Sequence, residues 1–133
     1  MLPKLNSRSG GFTLMEIMIV VSIIALLAVI AVPNFLRSRK RSQATQVLED
    51  LRTIDSALDQ YAIETNRSSG FTPGWSDLQK YMKTDSRLYA SGGLDILGNA
   101  ITIPSVDTQP KVPTATFNAL SDVAPNYFWS PFN

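Results

Sequence analysis

From Ile17 to Leu36 the chain reads IMIVVSIIALLAVIAVPNFL, twenty residues without a charge, broken in polarity only by Ser22, Pro33 and Asn34. As a helix rising 1.5 Å per residue, this run extends roughly 30 Å, the thickness of a bilayer's hydrocarbon core. It therefore predicts a membrane-spanning helix. A basic knot follows at once, Arg37, Arg39, Lys40 and Arg41.

Beyond the knot the pattern changes. Val47, Leu51, Ile54, Leu58 and Tyr61 recur at alternating spacings of four and three, with Ala44, Leu48, Ala57 and Ala62 widening the stripe. Glu49, Asp50, Arg52, Asp55 and Asp59 occupy much of the remaining surface. This is the pattern of a helix with one face to bury. It stops at Asn66-Arg67-Ser68-Ser69-Gly70, with Pro73 just beyond. Between Phe12 and Asn66 the only strong breaker is Pro33. A proline costs roughly 3 kcal/mol inside a soluble helix but is tolerated, with a kink, in a membrane helix. One helix of about 55 residues, roughly 80 Å long, is expected.

The amphipathic half needs a partner, and residues 67–133 are expected to supply it as a small antiparallel sheet packed on the helix, an α+β arrangement. Ser76-Asp77-Leu78-Gln79 fits a capping box at the start of a short helix. Leu94-Asp95-Ile96-Leu97 and Ile101-Thr102-Ile103 read as two short strands about a Gly98-Asn99 turn. Pro104, Pro110, Pro113, Pro125 and Pro131 punctuate the rest. Tyr127, Phe128, Trp129 and Phe132 read either as an exposed contact or, better, as core, because so small a domain needs its large side chains inside.

Composition narrows the chemistry. The 133 residues suit one small domain and one extra element. Twelve basic and eleven acidic residues give a net charge of +1. Setting aside Lys4 and Arg8, ahead of residue 12, leaves 10 basic against 11 acidic, so direct nucleic-acid binding is not expected. Histidine and cysteine are both absent. That removes the commonest general base, the thiol nucleophile, nearly all zinc chemistry and any disulfide. No enzyme activity, no cofactor and no metal are expected. Asp95, Asp107 and Asp122 are too scattered for a calcium loop and read as turn or cap residues.

One residue does not fit a plain anchor. Glu16 lies within the apolar block, behind Phe12, Leu14 and Met15 and ahead of Ile17-Met18-Ile19. An ionised carboxylate in hydrocarbon costs a few kcal/mol even on mild scales. It either sits at headgroup level or has a partner. The stretch Gly11-Phe12-Thr13-Leu14-Met15-Glu16, behind the short basic segment MLPKLNSRSG, resembles the processing site of the type IV pilin and type II secretion pseudopilin superfamily. Val32-Pro33-Asn34-Phe35 resembles that family's proline-containing segment, where the helix often bends or melts on assembly. The Gly98-Asn99 turn and proline-rich C-terminal region are loosely similar to major pseudopilins.

The resemblance implies a leader, residues 1–11, cut by prepilin peptidase between Gly11 and Phe12, with N-methylation of Phe12. Residues 12–36 would be the transmembrane and assembly helix, 37–66 its amphipathic continuation and 67–133 a small periplasmic domain. Glu16 would pair with the amino terminus of a neighbouring subunit, and Pro33 would mark a helix kink. The implied product is a structural subunit of a type II secretion pseudopilus. It would be anchored by a single pass in the bacterial inner membrane, leader in the cytoplasm, and built into a periplasmic filament. Its implied partners are other copies and other pilins, the peptidase, the lipid bilayer, and an inner-membrane assembly platform with a separate ATPase, since no phosphate-binding loop occurs here. Lack of cysteine favours this branch over disulfide-closed pilins, although a type IV pilus subunit for adhesion, motility or DNA uptake is the alternative. A secreted protein cut after Val29-Ile30-Ala31 is a third reading, opposed by Glu16 and by the helix that follows without a linker. One pattern runs the other way: the basic knot at 37–41 outweighs Lys4 and Arg8, so charge bias alone would put the C-terminal domain in the cytoplasm.

Overall fold

The structure is a computed structural model that describes residues 1–3, 10–67 and 69–133. Lys4 and Arg8 of the expected leader, and Ser68 of the expected helix end, lie outside the described residues. The chain divides into two compact units, Met1–Leu36 and Arg37–Asn133. Helix α1, Leu14–Thr65, contributes to both.

In the first unit α1 is apolar on every side, and every described side chain is exposed. A window of α1 near the N-terminus has a mean hydropathy of 2.9 and none of it is buried, so the helix is long and apolar enough to cross a membrane. Ser22 turns back to the helix backbone, its Oγ donating to the Met18 carbonyl at 2.7 Å. Pro33 lies inside the helix and has no N–H to give to the carbonyl four residues earlier, that of Val29.

In the second unit the expected stripe is the core face of α1. Ala44, Val47, Leu48, Leu51, Ile54, Ala57, Leu58 and Tyr61 are buried, while Ala62 is half-buried. They form one cluster with Leu78, Met82, Leu88, Ile101, Leu120, Ala124, Trp129 and Phe132. Asn66 ends the helix in the left-handed conformation, φ 51°, which asparagine tolerates better than most residues. Tyr61 near that end stacks on Phe71 at 6.0 Å and meets Tyr81 edge-on at 6.3 Å.

The covering layer departs from the expected α+β sheet. Among the described residues there is no strand, only an isolated antiparallel bridge between Leu94 and Ala100. The Gly98 turn is present, with φ +83°. Local bonds displace the ladder around it. Asp95 Oδ1 accepts from the Leu97 and Asn99 amides, both at 2.9 Å, and so offers the backbone a turn in place of a second strand. Pro104 then follows Ile101-Thr102-Ile103 and has no donor to extend a pairing.

The layer is instead made of short helices: α2 (Trp75–Leu78), α3 (Arg87–Ser91) and α4 (Thr114–Ala119), with 3₁₀ turns at Gln79–Tyr81 and Asn126–Trp129. Helix α2 starts one residue before the expected capping box. Its N-cap is Gly74, whose amide donates to Asp77 Oδ2 at 3.1 Å. Helices α3 and α4 were hidden in a proline- and glycine-rich stretch. Ser86 Oγ caps α3 by accepting from the Tyr89 amide at 3.2 Å, and Gly92 closes it at φ +72°. Pro113 caps α4 at its start. Gly93 can carry no side chain: its φ is +92°, and a Cβ there would meet the Trp75 ring at 3.1 Å.

The four C-terminal aromatics divide. Trp129 and Phe132 are core, and Trp129 Nε1 donates to the Ala124 carbonyl at 3.1 Å. Phe128 is half-buried against the Trp129 ring edge, while Tyr127 is 81% exposed, so the core expectation fails for Tyr127. Position in the 3₁₀ turn decides this, because consecutive residues of so short a helix cannot all face inward.

An ion pair ties α1 to the α3 segment. Arg87 Nη2 donates to the half-buried Asp50 carboxylate, and Arg87 Nη1 donates to the Leu94 carbonyl at 3.1 Å. Burial pushes the Asp50 carboxyl above its ordinary 3.8, outweighing the opposing pull of Arg87. A raised carboxyl favours the fold while neutral, so Asp50's own contribution fades as pH rises through that raised value. Replacing Arg87 with Gln strands the carboxylate when it is ionised. The R87Q chain in mild detergent should therefore lose about 1–3 kcal/mol at neutral pH, and the deficit should shrink as pH falls and Asp50 protonates. Denaturant unfolding followed by near-ultraviolet circular dichroism across acidic to neutral pH measures it; a deficit that grows on acidification contradicts the assignment.

Candidate assembly and processing site

The residues singled out from sequence lie at the start of α1. Gly11 and Phe12 precede the helix without regular structure, and Phe12 is 85% exposed. Their peptide bond therefore lies in accessible chain outside the helix. The helix begins at Leu14, which makes Thr13 its N-cap and Glu16 its third residue.

These two residues bond reciprocally. The Glu16 amide donates to Thr13 Oγ1 at 3.2 Å, and the Thr13 amide donates to Glu16 Oε2 at 3.3 Å. That is a capping box, and it gives two helix-start amides the acceptors they would otherwise lack. The first main-chain bond of the helix, Ile17 amide to Thr13 carbonyl, is 3.3 Å long. A carboxylate at this position also faces the positive end of the helix dipole. Glu16 is exposed, with Phe12, Ile17, Val20 and Val21 lining the apolar surface beside it.

Thr13 was not singled out from sequence, although the indicator was there. Thr13-Leu14-Met15-Glu16 satisfies the same capping pattern that was assigned instead to Ser76-Asp77-Leu78-Gln79. Gly11, Phe12, Thr13 and Glu16 fall within six consecutive residues at the start of α1, whereas Pro33 lies seventeen residues after Glu16.

The three scattered aspartates each have local work. Asp95 is 3% exposed; besides its two backbone donors it accepts from Thr116 Oγ1, which in turn accepts from Asn99 Nδ2 at 2.8 Å. Asp107 Oδ2 accepts from the Gly70 amide at 3.0 Å. Asp122 pairs with Lys40. Among the described residues, no three acidic, histidine or cysteine side chains are grouped to hold a metal ion.

Residues 6–32 match the family described as the prokaryotic N-terminal methylation motif. The chain is 41% identical over 68 residues to the type IV major pilin protein PilA of Myxococcus xanthus, covering 51% of this chain and 31% of that one. It is 33% identical over 88 residues to the type II secretion system core protein G of Klebsiella pneumoniae, covering 65% of this chain and 63% of the relative. The core protein G of Aeromonas hydrophila is 31% identical over 88 residues, covering 65% and 62%. The match thus spans less than two thirds of the length of each of these relatives. No solved structure matches the chain.

Because Thr13 caps α1, Thr13→Ala should leave the Glu16 amide without its acceptor, a loss of about 1 kcal/mol. Hydrogen exchange of the full chain in detergent should then quicken by roughly fivefold at Glu16 and Ile17. Exchange in residues 44–61 should not change, and Thr13→Ser should restore protection. Unaltered exchange at Glu16 would remove the cap from the account.

Proposed function

We propose that this chain, which carries the N-terminal methylation motif shared by type IV pilins and type II secretion core proteins G, is a filament subunit of a type II secretion pseudopilus. One observation carries the reading: a carboxylate lies in the first turn of a helix whose apolar surface finds no cover in its own unit. Such a surface needs lipid before assembly and other helices after it.

The sequence of events follows from the charges. Prepilin peptidase, acting on the accessible Gly11–Phe12 bond, removes residues 1–11 and leaves an ammonium group on Phe12; N-methylation keeps its charge. The new cation lies next to Thr13, whose amide bonds Glu16 in the uncut chain. Within one chain the carboxylate is occupied by its own helix start. Beside a second chain it is offered a full positive charge. At an effective dielectric of about 20, unit charges 4 Å apart attract by about 4 kcal/mol, enough to offset the few kcal/mol that a carboxylate costs in hydrocarbon. The pair weakens with distance, so it sets the stagger between neighbouring helices. Pro33 is the point at which α1 yields during this transfer, since its backbone already lacks one bond.

In this reading the C-terminal domain is periplasmic and the anchor is in the inner membrane. An assembly platform with its own ATPase extracts subunits, and the growing fibre moves secreted proteins outward. The role is structural, not catalytic. A type IV pilus subunit is the second reading, favoured by the PilA relative; the longer matched stretch in the two core proteins G supports the first.

Intact-mass analysis of the protein from inner membranes should give a chain that begins at Phe12 and carries one added methyl group. In the same host, Glu16→Leu should be cut and inserted normally yet fail to form filaments, and secretion should drop at least tenfold because one charge of the pair is left unmatched. A mature chain beginning at Val32 would exclude a filament role, because α1's first half would be gone. Loss of surface pili with normal secretion would move the chain to the type IV pilus.

A further inference from the structure

The filament reading makes no use of the basic knot that follows the apolar run. Arg37, Arg39 and Arg41 are exposed, and Lys40 is half-buried. Among the described residues, the only salt bridge to this cluster is Lys40 Nζ to Asp122 Oδ2, at 2.9 Å. That hydrogen bond, with the charges of Lys40 and Arg37 nearby, holds the Asp122 carboxyl below its ordinary range. Three arginines therefore remain without an acidic side chain within bonding reach.

Helical spacing distributes them around α1. Arg37 and Arg41 are four residues apart and share a side, together with Lys40; Arg39 is two residues from each and lies on the opposite side. A protein partner docks on one face of a helix. Cations on opposite faces, beginning one residue after a twenty-residue apolar run, suit a layer of anions that surrounds the helix. Arginine's planar fork bonds phosphate oxygens in pairs, and basic clusters flanking a span attract anionic lipid.

We infer that Arg37, Arg39 and Arg41 bind the phosphate groups of anionic phospholipids at the membrane surface where α1 emerges, with Asp122 acting as an internal counter-charge that limits their grip. The inference rests on the reading of residues 14–36 as a membrane span. It gives the reversed charge bias a purpose: the knot on the far flank is a lipid clamp that a subunit must release to leave the bilayer. Asp122 neutralises Lys40 and competes for Arg37, which keeps that clamp weak enough to release.

The test uses the full chain reconstituted in nanodiscs of phosphatidylcholine and of an equal mixture with phosphatidylglycerol, then native mass spectrometry to read which lipid stays bound. The unsubstituted chain should retain phosphatidylglycerol over phosphatidylcholine by about tenfold, and R37Q/R39Q/R41Q should bring the ratio near parity. D122N should raise the preference about threefold, since it removes a negative charge and frees Lys40. Equal retention of both lipids by the unsubstituted chain, or a preference that survives loss of all three arginines, overturns the inference while leaving the span intact. Displacement of phosphatidylglycerol by inorganic phosphate overturns the lipid assignment in favour of a general anion site. Failure to insert even into phosphatidylcholine sinks the span reading, and this inference with it.

Discussion

The apolar surface of residues 14–36 has nothing in its own unit to cover it, and most of what the chain does follows from that. A helix that is hydrophobic on one face is completed by its own domain; one that is hydrophobic all round is completed only by something outside the chain. Lipid and other copies of the helix are both adequate, because each is as apolar as the other. The hydrophobic effect therefore holds the helix out of water but does not choose between bilayer and filament. In the proposed assembly that choice would pass to the polar groups at either end, Thr13 and Glu16 at one and the 37–41 knot at the other.

Glu16 is suited to that choice because its bonds are modest and exchangeable. A carboxylate bonded to a backbone amide at 3.3 Å is satisfied, yet loosely. In the uncut chain the bond supports the first turn of α1. In the proposed filament, the ammonium of a neighbouring chain would be a stronger, charge-assisted partner. The capping box leaves the Glu16 carboxylate bonded to its own helix start, and in the proposed function this is its resting state before assembly. Thr13, overlooked when the sequence is read for charge alone, is what makes that resting state possible.

Periodicity made the long helix, its buried stripe and its end at Asn66 legible, since those features depend on residues close in sequence. Glu16 stood out as well, because a charge in an apolar run is conspicuous, and the structure places it in the first turn of α1 bonded to Thr13. The covering layer was not legible. Leu94–Leu97 and Ile101–Ile103 have the composition of strands, but composition does not reveal that Asp95 is buried and bonded to the Leu97 and Asn99 amides and to Thr116, twenty-one residues away. Nor does it separate Tyr127 from Trp129, which differ by two positions and by nearly the whole range of exposure. Such outcomes depend on packing between residues distant in sequence, which a local pattern does not carry.

The second unit explains why the helix serves two purposes. It has no disulfide, and among its described residues no sheet, so no ladder or crosslink holds its short helices together. What organises them is the face of α1 from Ala44 to Tyr61, which supplies half of the buried hydrophobic residues of the core. A domain of this size has little hydrophobic surplus, and removing one wall of its core would leave the rest without a template. The spine that would stack in a filament and the wall on which the C-terminal domain folds are thus one continuous element, α1. Pro33 and the basic knot lie near the boundary between the two, where local strain can be absorbed without disturbing the buried stripe that begins at Ala44.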